Sequence, residues 1–80
     1  MTLESVLAAL YASEINCGID SFWDGGWRAW VGDDTNGRLE ERGSLALEEL
    51  PLALHEMALK RFPNSEYAKT AGRGAEALTI

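Results

Sequence analysis

The sequence predicts a two-layer α+β sandwich in the order α-β-β-β-α, with a three-stranded antiparallel meander and both helices on one face of the sheet. Apolar residues recur at helical spacing near the start of the chain. They then alternate with a period of two around an Asp-Gly-Gly turn, and a second helical stripe ends at Pro63. An apolar sheet face needs a cover, which two amphipathic helices provide. We therefore expect one domain over residues 1–70 and a flexible tail over 71–80.

The first helix is predicted over residues 3–14. Thr2 precedes it and is placed to cap its N-terminus, because a threonine side chain accepts a hydrogen bond from the first turn. One apolar stripe follows the spacing of a single helix face, which predicts that this face packs on a small core. The stripe consists of Leu3, Val6, Leu7, Leu10 and Tyr11.

Two strands joined by a hairpin are predicted next. Over residues 15–23 the period changes to two, as is typical of a strand with one buried face, and Ile15, Cys17, Ile19, Ser21 and Trp23 share one face. Asp24-Gly25-Gly26 is a hairpin signal, because glycine adopts positive φ without steric cost. The second strand is predicted over residues 27–32. With a three-residue loop, the expected register places Trp23 opposite Trp27, Ser21 opposite Ala29 and Ile19 opposite Val31.

A weaker third strand is predicted over residues 38–43, after a turn rich in Asp, Asn and Gly. Its arginines and glutamates are expected to discourage pairing with another sheet edge. The second helix is expected to begin near Leu47 or Glu48 and to end before Pro63, since the residue before a proline avoids the α region. One further helical turn is expected after that proline.

Composition and charge exclude several classes of protein. The 80-residue chain carries 13 acidic and 7 basic side chains, a formal net charge of −6. This charge disfavours nucleic-acid binding by the isolated chain, because phosphate contacts dominate such binding. No apolar run approaches the roughly 20 residues of a membrane-spanning helix, and no secretory signal is recognisable. We expect a cytoplasmic protein without membrane association, and the single Cys17 agrees with a reducing compartment.

No constellation of residues predicts an enzyme, a metal site or a cofactor. His55 is the only histidine, and Leu59 stands where a zinc-protease helix carries its second histidine. Cys17 falls on the apolar face of the first strand, where a thiol is buried and unreactive. The turn around Asp33 and Asp34 lacks two necessary oxygen ligands of a calcium loop. We therefore expect a non-enzymatic protein that holds no cofactor.

An aromatic cluster is the strongest functional signal. Phe22, Trp23, Trp27 and Trp30 lie within nine residues of one another. The predicted register turns Trp23 and Trp27 towards the helices. It turns Phe22 and Trp30 to the opposite face, together with Arg28. Aromatic side chains and arginine are the usual anchors of protein interfaces. The predicted interface residues are Phe22, Arg28, Trp30 and Arg42.

Three stretches of the chain have a further pattern in common with known proteins. They are the hairpin Asp24-Gly25-Gly26-Trp27-Arg28-Ala29-Trp30-Val31, the segment Gly43-Ser44-Leu45, and the acidic helix start Leu47-Glu48-Glu49-Leu50, which continues through Ala53-Leu54-His55-Glu56. Over residues 24–58 the chain thus resembles HicB-type antitoxins and related small partial RNase H-like proteins. The resemblance implies a cytoplasmic protein that binds a partner and is not an enzyme, and it carries over no catalytic residue. The turn at residues 33–37 and the helix before the first strand depart from the family's pattern.

Several interpretations of the aromatic face remain open. A protein interface is the leading one, with a homodimer formed by two copies across this face or along the third strand. An antitoxin-like or phage-type regulator that binds a basic partner protein is the alternative, since opposite charges speed association. A small ligand stacked on the aromatic face is a further alternative. The remaining interpretation gives these side chains no function: they are ordinary apolar residues, each exposed singly.

Overall fold

The computed structural model describes residues 1–35 and 37–70, and it confirms the predicted α-β-β-β-α order. The strands form one antiparallel sheet in the order β1-β2-β3, and the helices pack against it. A 3₁₀ turn precedes the second helix, and residues 66–70 form a further helical segment. The tail predicted over 71–80 lies outside the described residues. The elements are α1 (Leu3–Ala12), β1 (Cys17–Phe22), β2 (Gly26–Val31), β3 (Glu40–Leu45), the 3₁₀ turn (Leu47–Glu49) and α2 (Leu50–Arg61).

Both ends of α1 are closed by local hydrogen bonds. At the N-terminus the Ser5 N–H donates to Thr2 Oγ1 at 3.1 Å, and the Thr2 N–H donates to Ser5 Oγ at 3.2 Å, which makes a reciprocal cap. At the C-terminus Glu14 adopts the left-handed conformation, with φ 61°, and the Ile15 N–H donates to the Leu10 carbonyl at 3.0 Å. This turn ends α1 at Ala12, two residues before the predicted end.

The β1–β2 hairpin has a different register from the predicted one. Its loop comprises residues 23–25, and within it the Gly25 N–H donates to the Phe22 carbonyl at 3.0 Å. The shift amounts to two residues, so every paired side chain keeps its predicted face, because faces alternate with a period of two. Trp23, however, leaves the strand and becomes part of the turn. The observed partners are Ser21 and Trp27, Ile19 and Ala29, and Cys17 and Val31.

The core lies between the sheet and the helices. β2 is the central strand and is covered by α2, so its helix-facing Ala29 and Val31 are fully buried. Partly buried side chains from β1 and the hairpin, among them Ile19 and Trp27, pack around this core. The fully buried helix residues are Leu10 of α1 and Leu50, Leu54, Met57 and Ala58 of α2.

β3 is an irregular edge strand. Its pairing with β2 passes from Trp27 opposite Leu45 to Ala29 opposite Arg42, so β3 carries an extra residue here. Such a bulge bends a strand and interrupts its ladder of hydrogen bonds. Ser44, within the bulge, has a positive φ of 56°. The strand also begins at Glu40, two residues later than predicted.

Glu40 joins β3 to the end of α2. Its Oε1 atom lies 3.0 Å from Lys60 Nζ and 3.1 Å from Arg61 Nη2. The hydrogen bond from Lys60, with the charges of Lys60 and Arg61, holds the pKa of the Glu40 carboxyl below its ordinary value. The carboxylate is therefore favoured in the folded chain.

We expect the stabilisation due to Glu40 to be present at neutral pH and to disappear in acid. Its folded pKa is lower than the unfolded value of about 4.3, so the contribution is complete above that value and is lost as pH falls through the folded pKa. Urea unfolding of the wild type and of Glu40→Gln should therefore give free energies that converge as pH falls. A difference that stays constant from neutral pH to about pH 2 would contradict this linkage.

The helices of the described residues are short. Within residues 1–35 and 37–70, none has both the length and the apolar character needed to cross a membrane.

Candidate interaction surface

The outer face is the side of the sheet opposite the helices. We define it by the side chains that alternate away from the core. Phe22, Arg28 and Trp30 lie on this face, as predicted. The full set is Gly18, Asp20 and Phe22 of β1, Arg28 and Trp30 of β2, and Glu41 of β3.

Arg28 links all strands of the sheet at the centre of the outer face. Its Nε and Nη2 atoms lie 3.0 and 2.5 Å from Asp20 Oδ2, and its Nη1 atom lies 3.3 Å from Glu41 Oε2. The hydrogen bond to Asp20 is the main reason why the pKa of Arg28 is raised. One guanidinium against two carboxylates leaves a formal charge of −1 on this cluster. Arg28 is therefore a paired cation within the sheet.

Trp30 covers the backbone of β1 at Gly18. A Cβ atom on Gly18 would lie 2.5 Å from Cζ2 and 2.6 Å from Cε2 of Trp30, closer than real side chains approach. The indole thus occupies the space that any other residue at position 18 would need. The ring is held at the β1 margin of the outer face and remains half-buried.

Phe22 and Trp23 bring two aromatic rings to the end of the sheet at the β1–β2 turn. Phe22 is 49% exposed and Trp23 is 99% exposed. The pairing of Trp27 with Leu45 puts the end of β3 beside this turn, and exposed Leu47 follows on the 3₁₀ turn. The prediction that Trp23 faces the helices is therefore wrong, because its ring is exposed at the turn.

The prediction that Arg42 shares the outer face is wrong. Arg42 lies opposite Ala29, whose side chain is buried on the helix side of the sheet. Its Nη1 atom is 2.7 Å from Glu56 Oε1 of α2, so it links the edge strand to the helix layer. Arg38 likewise lies near the end of α2, with its guanidinium carbon 5.4 Å from the centre of the Phe62 ring. Arg28 and Arg42 therefore lie on opposite faces of the sheet.

A shallow groove of about 350 Å³ runs beside Trp30 on the outer face. Arg28 and Glu41 border it on the sheet, and Asp34 and Leu39 border it on the loop between β2 and β3. A small ligand stacked on the aromatic face, the predicted ligand-binding alternative, stays a prediction.

The histidine and the cysteine have structural contacts. His55 Nδ1 lies 2.7 Å from the hydroxyl of Tyr67, and this contact ties the segment 66–70 to α2. Burial raises the pKa of the Tyr67 hydroxyl and also that of the Cys17 thiol. A raised pKa keeps the thiol protonated near neutral pH, which is unfavourable for a nucleophile. In the described part of the chain, no group of three or more His, Cys, Asp or Glu side chains is arranged to hold a metal ion.

Comparisons with family models, with curated proteins and with solved structures found no match to this chain. The HicB-like resemblance over residues 24–58 stays a prediction.

Proposed function

We propose that this chain is a small non-enzymatic protein-interaction module that forms a homodimer through its outer face. The observation that carries the proposal is a sheet face that no helix of the described residues covers. On this face Phe22, which is 49% exposed, and the half-buried Trp30 lie on either side of the Arg28–Asp20 pair. A sheet face in contact with water is normally polar. Large aromatic side chains contribute most of the binding energy of protein interfaces, so their presence on this face favours a docking role.

The charges on the outer face are compatible with being covered by a second copy. Arg28 is already bonded to Asp20 and to Glu41, so docking would not leave an unpaired cation in the contact. Removing an unpaired charge from water is far more costly than covering a bonded cluster. The size of the domain points the same way, since a single core in an 80-residue chain rarely supplies more than about 3–5 kcal/mol.

The proposal predicts that Trp30→Ala weakens the dimer. Truncating an aromatic anchor typically costs about 2 kcal/mol or more, which corresponds to a rise of about 30-fold in the dimer Kd. Sedimentation equilibrium over a range of concentrations measures this change. We expect the wild type to reach the mass of two chains at high micromolar concentration and Trp30→Ala to require a much higher concentration.

Tyr11→Ala is the matched control for this experiment. Tyr11 is an aromatic residue of α1 that is 85% exposed, and α1 lies on the other side of the sheet. Its truncation should leave the dimer Kd unchanged. A wild-type chain that stays monomeric at high micromolar concentration would contradict the proposed homodimer.

The second candidate is an antitoxin-like or phage-type regulator that binds a basic partner protein. The net charge of −6 favours it, together with the carboxylates of Asp20 and Glu41 on the outer face. Charge-driven binding weakens as salt screens the attraction. A basic protein that co-purifies from the native host and is released by salt would support this candidate. Repeated recovery of the chain without such a protein would count against it.

A further inference from the structure

We infer that the cleft between the C-terminal end of α2 and the loop before β3 binds a small phosphate monoester. This cleft has a volume of about 520 Å³, and none of the described residues that line it belongs to the outer face. The inference therefore does not depend on the homodimer. The described lining consists of Arg38, Lys60, Arg61, Phe62 and residues 63–65.

The charge of the cleft is opposite to the charge of the whole chain. The protein has a formal net charge of −6, yet three of its 7 basic residues line this one cleft. None of the described residues in the lining is acidic. A cleft lined by one sign of charge raises the local concentration of ligands with the opposite sign. The lining therefore favours an anionic ligand.

Lys60 and Arg61 share a single carboxylate as their counter-ion. Glu40 Oε1 lies 3.0 Å from Lys60 Nζ and accepts a hydrogen bond from Arg61 Nε at 3.1 Å. The Glu40 side chain is only 15% exposed, whereas that of Lys60 is 63% exposed. An ammonium has three N–H donors and a guanidinium has five, so Glu40 leaves most of these donors for a ligand. One carboxylate also balances only one of the two positive charges.

Arg38 adds positive charge from a separate part of the chain. Lys60 and Arg61 lie in the last turn of α2, where basic side chains interact favourably with the helix dipole. Arg38 precedes β3, so the helix end does not explain its position at the cleft. Its guanidinium carbon lies 5.4 Å from the centre of the Phe62 ring, and this contact holds its charge beside the cleft wall. The cleft thus combines cations from two elements of the fold.

The turn after α2 forms a fixed and partly apolar wall of the cleft. Phe62 packs against the hydrophobic core. Ser65 Oγ donates to the Phe62 carbonyl at 2.7 Å and accepts from the Ala68 N–H at 3.1 Å, which ties the turn to the segment 66–70. A preformed wall lowers the entropic cost of binding. With Pro63 beside it, Phe62 offers an apolar surface to a ligand.

The combination of charge and apolar surface selects the class of ligand. A phosphate monoester carries a charge of about −2 near neutral pH and has three acceptor oxygens, which several cationic donors can bind at once. A carboxylate brings one charge and two oxygens. The cleft volume lies within the range of about 300–1,000 Å³ that is usual for small-molecule sites. We therefore expect the phosphate group at Lys60 and Arg61 and a planar apolar group against Phe62.

Titration with phenyl phosphate tests this inference, because the probe joins a phosphate group to one aromatic ring. Proton–nitrogen correlation spectra of the full chain, recorded at constant ionic strength and about pH 7.5, locate the site and give its Kd. We expect saturable shifts of the amide signals of residues 60–62 and 64–65, with a Kd of about 1 mM or lower. Benzoate keeps the ring but carries a single carboxylate, so it should bind at least about fivefold more weakly.

Lys60→Gln and Lys69→Gln form a matched pair of variants. Each removes one positive charge from an exposed lysine, but Lys69 does not line the cleft. Lys60→Gln leaves Glu40 bonded to Arg61, so the fold should be kept. We expect the Kd for phenyl phosphate to rise at least about fivefold in Lys60→Gln, as for the loss of about 1 kcal/mol. Lys69→Gln should bind the probe as the wild type does.

A Kd that rises only in Lys60→Gln, with shifts confined to the cleft, would support the inference. An absence of saturable shifts would overturn it, since the cations would then serve only Glu40 and the helix end. Equal binding of benzoate and phenyl phosphate would overturn the phosphate group as the recognised feature. Equal Kd values for the two lysine variants would overturn the cleft as the binding site.

Discussion

Leu54→Ala is expected to lower the free energy of unfolding by about 2–5 kcal/mol. Leu54 lies in the middle of α2 and is fully buried, as are Leu50 and Met57 on the same helix. The truncation loses the transfer free energy of the deleted atoms, and the surrounding core closes the resulting cavity only in part. Since a single core in a chain of this size rarely supplies more than about 3–5 kcal/mol, we expect the variant to be close to its unfolding threshold. Urea unfolding followed by circular dichroism measures the loss.

Leu52→Ala is the matched control for this prediction. It makes the same chemical change on the same helix, two residues away, but the Leu52 side chain is 54% exposed. A surface truncation of this kind usually changes stability by less than about 0.5 kcal/mol. Similar losses for both variants would contradict the burial of one face of α2 against the sheet.

The order of the elements could be predicted because each element carries its own local signal. The reciprocal cap at Thr2, the turn at Asp24-Gly25-Gly26 and the helix stop at Pro63 depend on residues that are neighbours in the chain. The hydrophobic period of two also predicted correctly which paired side chains of β1 and β2 face the helices, although the predicted pairing of the two strands was wrong. The true pairing differs by two residues, and a shift of two leaves every face unchanged.

The alternation of apolar residues could not predict that Trp23 is exposed. Alternation treats Trp23 as one more residue on the apolar face of β1, in line with Ile19 and Ser21. The turn begins one residue earlier than the Asp-Gly-Gly signal indicates, with Trp23 as its first residue. Turn composition indicates that a hairpin is present, but several loop placements satisfy the same composition.

The position of Arg42 depends on features with no local signal. A shift of one residue in the pairing of two strands turns every side chain to the other face. The pairing of β3 with β2 is set by a loop of several residues and by the bulge at Ser44. Arg28 belongs to the tight hairpin, so its face could be predicted, whereas Arg42 follows the long loop and was assigned to the wrong face.

Gly32→Ala is expected to lower the free energy of unfolding by about 2–4 kcal/mol. Gly32 follows β2 with a φ of 83°, where a Cβ atom costs about 1–2 kcal/mol. The added Cβ would also collide with the backbone carbonyl of Arg38, and a main-chain group cannot rotate away as a flexible side chain can. The substitution therefore has to displace the loop that leads into β3, and urea unfolding measures the cost.

Gly43→Ala separates this strain from the general effect of replacing a glycine. A Cβ atom at Gly43 meets no atom within 4 Å, so we expect a change within about 0.5 kcal/mol. A Gly32→Ala variant with the stability of Gly43→Ala would show that the loop before β3 moves freely. Such a result would contradict the close packing of Gly32 against the Arg38 carbonyl.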